Sequence, residues 1–100
     1  MATTKMTELN DFIIGQLKNK RFQKEYLNEC LAEYAKDDDF RAFFHSLELV
    51  IRSRDSVSGF CQKAGIDRTM FYQVIKGKRV PKMNTMYKIL DALGYRLKIA

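Results

Sequence analysis

The sequence predicts an all-α domain of five helices that closes in a short C-terminal β-strand. Three observations carry this expectation. Apolar residues recur at 3.6-residue spacing, as in Phe22, Tyr26, Leu27, Cys30, Leu31 and Tyr34. Glycine is scarce and Pro81 is the only proline, which disfavours a turn-rich β fold. The last residues, Tyr95 to Ala100, switch to a period of two, the pattern of an extended strand. One hundred residues make a single domain.

Taken in order, residues 1–6 read as a disordered leader. Thr7 or Asn10 can cap a first helix through about Asn19, with Leu9, Phe12, Ile13 and Leu17 on one side. A second helix runs from about Arg21 to Tyr34 and carries Glu25, Glu29 and Glu33 in a row on a face away from its apolar stripe. Asp37-Asp38-Asp39 marks a boundary, because carboxylates favour a helix N-terminus. The third helix, about Phe40 to Arg54, buries Phe40, Phe43, Phe44, Leu47, Val50 and Ile51, and leaves His45 partly exposed. Asn84 caps the last helix, which buries Met83, Met86, Ile89, Leu90 and Leu93 and stops at Gly94.

Between them, Val57 to Lys76 reads as two short helices around a tight turn. Gly65 supplies the left-handed backbone of the turn, and Asp67 caps the helix after it. Ser56 or Ser58 caps the first of the pair. Phe60, Ala64, Ile66, Phe71 and Val74 face inward, and Cys61 is small enough to let the helices approach. This is helix-turn-helix spacing, whose second helix reads DNA. An ordinary αα-hairpin has similar spacing, and charge decides between them. Residues 1–50 carry seven Lys/Arg and nine Asp/Glu, a net −2, whereas residues 51–100 carry eleven and three, a net +8. A polyanion is the partner such a half suits. Arg68, Thr69, Tyr72 and Gln73 are placed to reach base edges. Ser58, Lys76, Lys78, Arg79 and Lys82 are placed to hold phosphates.

Other chemistry finds no support. Cys30 and Cys61 are too few and too far apart for a zinc site, and no glycine-rich phosphate loop or nucleophile–base pair is present. No catalytic residue, metal, cofactor or small-molecule ligand is therefore expected. No run reaches membrane-spanning length, so a cytoplasmic protein without membrane attachment is expected.

Three segments together carry a resemblance: EYLNECLAE at 25–33, DDDFRAFFHSLELVIRSRD at 37–55, and TMYKILDALGYRLKI at 85–99, with the helix-turn-helix between the last two. In that order they resemble the addiction-module antidote proteins, the HigA-type antitoxins, whose core is a λ-repressor-like domain. Arg68 and Tyr72 match the recognition helix of such proteins, whereas Gly59 stands where they usually carry glutamine. The resemblance implies a double role: neutralising a RelE-like ribonuclease toxin encoded alongside, and repressing the protein's own operon. A stand-alone or phage-derived repressor is the alternative. Residues 1–39 are then a helical extension for toxin contact, 40–94 the DNA-binding core, and 95–100 a dimerisation strand. Toxin contact is expected at Phe12, Ile13, Tyr26, Glu25 and Glu29, with Tyr26 as readily a core residue. Dimerisation is expected at Tyr95, Leu97 and Ile99, pairing two copies over a palindromic operator in double-stranded DNA.

Overall fold

Helices form where the apolar period is backed by a cap, and the caps set most of the boundaries. The computed structural model describes the backbone of residues 2–98 and the side chains of residues 7–98. Its helices are α1 (Ala2–Leu17), α2 (Lys20–Asp37), α3 (Phe40–Arg52), α4 (Val57–Ala64), α5 (Arg68–Ile75) and α6 (Met83–Leu93). The Asn19 side chain accepts from Phe22 N and starts α2. The left-handed Asp38 stops it, and Asp39 accepts from Ala42 N to start α3. Ser56 Oγ accepts from Gly59 N to start α4. Gly65, at φ 71°, reverses the chain, and Asp67 accepts from Thr69 N to start α5.

α3 is the centre of the molecule. Phe43, Phe44, Leu47, Leu49, Val50 and Ile51 are buried on it, so its apolar surface is wide enough to meet helices on several sides. It packs against α1, α2, α4 and α5, while α6 closes against α4. Phe44 meets Phe71 of α5 with ring centroids 5.6 Å apart, and this contact seats the second helix of the α4–α5 pair.

Among the described residues two polar side chains are buried: Ser46, whose Oγ donates to the Ala42 carbonyl of its own helix at 3.1 Å, and Gln23, which links several elements. Gln23 is 2% exposed. Its Nε2 donates to the Leu17 carbonyl at 2.9 Å and to Ser53 Oγ at 3.3 Å. Its Oε1 accepts from Tyr95 Oη at 2.7 Å and from the Arg54 guanidinium. Arg54 also donates to the Leu93 carbonyl at 2.7 Å and lies 5.6 Å from the centre of the Tyr95 ring. The end of α1, the start of α2, the end of α3 and the tail after α6 meet at this one amide.

Five sequence expectations change, the first being that Met83, expected in the core, is 71% exposed at the start of α6. The five helices are six, because the two members of the helix pair each have their own cap and stop. α1 is already helical at Ala2, so residues 2–6 are no disordered leader and neither Thr7 nor Asn10 is a cap; no proline or glycine interrupts that stretch before Gly15. Asn84 lies inside α6, whose N-cap position is Lys82, with no side-chain cap bond. Among the described residues there is no strand, and residues 95–98 are irregular. A strand needs a second strand to hold its backbone groups, and the described residues supply none. The alternation at 95–98 instead docks one side of the tail. Tyr95 N donates to the Leu90 carbonyl at 2.8 Å, and Tyr95 and Leu97 pack on the core while Arg96 and Lys98 face solvent.

Candidate functional site

Because α5 begins at Arg68, its first turn exposes Arg68 and Thr69, while Phe71 and Val74 turn inward and are buried. Tyr72 and Gln73 lie one turn further on, at i+4 from Arg68 and Thr69, and are half-exposed. The four side chains therefore share one outward face. A groove of about 530 Å³ opens between the end of α3 and the starts of α4 and α5, with Arg52, Ser58, Arg68 and Tyr72 among its walls. Asp55 and Glu48 also line it, but both are engaged. Lys63 Nζ reaches Asp55 Oδ2 at 3.1 Å and Ser56 N donates to Oδ1 at 2.7 Å, which together hold that carboxyl below the usual range. Glu48 lies 3.4 Å from His45 Nδ1. Among the described residues, Arg52 and Arg68 have no ion-pair partner. The groove therefore offers two open guanidinium groups beside the exposed Ser58 hydroxyl.

Gly59 now has a local reason. A Cβ there would lie 3.0 Å from both Asp55 Oδ1 and the capping Ser56 Oγ, so glycine leaves room for the cap of α4. After α5, Gly77 takes φ 78°, and Lys78 N donates to the Gln73 carbonyl at 2.8 Å. The chain turns there into a loop on which Lys76, Lys78, Arg79 and Lys82 are all exposed. The Arg41 side chain lies over Gly77, close enough that a Cβ would meet its Cδ at 2.9 Å. Sequence reading missed Arg41 and Arg52. Both sit on α3, and only tertiary packing brings them beside the loop and the groove.

The other predicted surfaces lie elsewhere. On α1, Phe12 is 65% exposed and Leu9 57%, whereas Ile13 is partly buried against the core. On α2, Glu25 and Glu29 are exposed, and Tyr26 is partly buried, its phenol pushed up by that burial. Tyr95 and Leu97 are held on their own chain as described, and Ile99 lies outside the described residues. Cys30 is half-buried and Cys61 buried, both free thiols, and burial pushes the Cys61 thiol up. Among the described residues no helix is long and apolar enough to cross a membrane.

A family model described as a probable addiction module antidote protein matches residues 8–100. The chain belongs to that family. No curated protein and no solved structure matches it. An antidote acts on a cognate toxin, so the family implies a protein partner. The match spans α2 and the α4–α5 pair alike.

Proposed function

We propose that this antidote is a HigA-type antitoxin with a λ-repressor-like DNA-binding core, which neutralises a RelE-like ribonuclease and represses its own operon as a homodimer on a palindromic operator. One observation carries the DNA half of this reading. Arg68, Thr69, Tyr72 and Gln73 stand together on the outer face of α5, between the groove holding Arg52 and Ser58 and the basic loop of Lys76, Lys78, Arg79 and Lys82. A helix with polar tips between two cationic flanks suits a major groove between two phosphate backbones. Arg68 and Gln73 can bond guanine and adenine edges, and Tyr72 and Thr69 can touch a thymine methyl or a phosphate. Arg52 joins the phosphate-holding set.

The two sets are expected to respond differently to truncation. Gln73→Ala should lose about 1–3 kcal/mol of discrimination between operator and random DNA. Lys78→Ala should weaken both alike and reduce the salt slope by about one. Titrations of the two variants at several salt concentrations check this, and equal losses on both DNAs for both variants would refute the division.

In the toxin half, residues 1–39 contact the partner. Phe12 supplies an exposed apolar anchor, Ile13 and Tyr26 supply flanking surface, and Glu25 and Glu29 supply charge. Co-expression with the adjacent reading frame should restore growth that the frame alone suppresses. Continued growth arrest would count against neutralisation. Dimerisation through the tail is best tested by ending the chain after Arg96. That cut keeps the Tyr95 bond to Gln23 while removing Leu97 and Ile99. Monomers in sedimentation are expected, and an unchanged dimer would place the interface elsewhere.

A further inference from the structure

Two concavities flank the outer side of α2. One, of about 400 Å³, is lined by Phe22, Glu25, Tyr26 and Glu29. The other, of about 270 Å³, lies between α2 and α3 over Tyr26, Cys30, Tyr34 and Phe43. Tyr26 and Glu29 line both, so the two adjoin along α2 and together make a trough with those side chains at its middle. Its floor is aromatic: Phe22 and Tyr26 stack at 6.3 Å, and Tyr34 and Phe43 at 5.7 Å. Its rim is acidic, with Glu25, Glu29, Glu33 and Asp37 one helical turn apart and Asp39, the N-cap of α3, beside Asp37. Glu25 and Glu33 pair only with exposed Arg21 and Lys36, at 3.5 and 4.0 Å, and such pairs are worth little. Among the described residues, Glu29, Asp37 and Asp39 have no cationic partner.

We infer that this α2–α3 trough is the seat of a cationic segment of the cognate toxin, with an arginine or lysine lying along the Tyr26–Tyr34–Phe43 floor and its charge at the rim. The inference rests on the toxin-neutralising reading and gives it a site. A long cationic side chain suits the trough in both parts: its alkyl stem covers aromatic surface, and its head meets carboxylates. DNA is excluded by five like charges. A second copy is disfavoured as well. A symmetric contact would set like carboxylates against one another, and eleven of its eighteen Lys/Arg lie in residues 51–100, so a charge-matched contact would join two different surfaces head to tail. The family supplies the remaining occupant, a separate partner protein. The trough shares Tyr26, Glu25 and Glu29 with the toxin surface expected from sequence and adds Glu33, Asp37 and the α3 wall. It leaves Phe12 outside.

The probe is the purified product of the adjacent reading frame, titrated calorimetrically against the full chain. Glu29→Lys with Glu33→Lys should weaken binding by about tenfold or more per carboxylate, and the wild-type affinity should fall with salt. Ala42→Phe fills the trough from α3 without altering charge and should weaken binding too. Asp91→Lys, on α6 and off the trough, should leave it unchanged. Thermal melts of each variant serve as the fold control, and should the lysine pair not fold, Glu29→Gln with Glu33→Gln reads the same charges. Trough variants that bind as tightly as wild type would overturn the site while leaving neutralisation standing. A change in oligomeric state of the lysine variant without the toxin would overturn it in favour of contact between copies. No complex with the wild-type chain would overturn the toxin reading and this site together.

Discussion

Phe44→Ala should destabilise the chain by about 3–5 kcal/mol, the cost of deleting a buried phenyl ring from a packed interior. Phe44 is 0% exposed at the middle of α3 and lies against Phe71 of α5. Each kcal/mol shifts the melting midpoint by roughly 4–8 °C in a domain of this size. The loss is a large share of a typical stability of about 5–15 kcal/mol. It should also reach function, since Phe71 and Val74 are the buried contacts that hold α5 with Arg68 and Gln73 outward. Thermal and urea unfolding followed by circular dichroism read the first effect. DNA binding below the melting midpoint reads the second. A loss under about 1 kcal/mol would show that this contact is not central to the core.

Gln23→Leu should cost about 2–4 kcal/mol, although it replaces a buried polar side chain with an apolar one of similar size. It strips partners from the Leu17 carbonyl and the Tyr95 hydroxyl, and a buried group left unpaired costs about 1–3 kcal/mol. Arg54 contributes less, because it is exposed and keeps the Leu93 carbonyl. Tyr95→Phe removes only one bond and should cost about 1 kcal/mol. The double variant should then cost less than the sum, since both changes act on the same bond. Strict additivity would show that the tail is not held through Gln23. The same bond explains why ending the chain after Gly94 would confuse loss of dimerisation with loss of stability.

The helices were legible in the sequence because their signals are local. Asp39, Ser56, Gly65, Asp67 and Gly94 cap or stop helices through bonds that span a few residues. The outward set Arg68, Thr69, Tyr72 and Gln73 was legible for the same reason, as fixed offsets from one cap. Signals that depend on tertiary packing were not. Gln23 reads as one more polar residue on α2, and nothing near it in sequence announces partners 30, 31 and 72 residues away. Arg41 and Arg52 needed α3 to be placed beside α4 and α5. The tail alternates like a strand because one of its sides docks, and period two alone does not distinguish docking from pairing. Asn84 shows a cap signal giving way to continuation, with α6 already begun at Met83 and the cap position falling to Lys82.

The most direct test of DNA recognition is a salt series. The full chain is titrated on the DNA upstream of its own gene and on random DNA of equal length. Operator binding should be at least about 10³-fold tighter than random binding at physiological salt. Log affinity should fall linearly with log salt on both DNAs, as expected when Arg52 and the basic loop displace counterions. Equal affinity for the two DNAs across the series, or no binding to either, would contradict a sequence-reading α5.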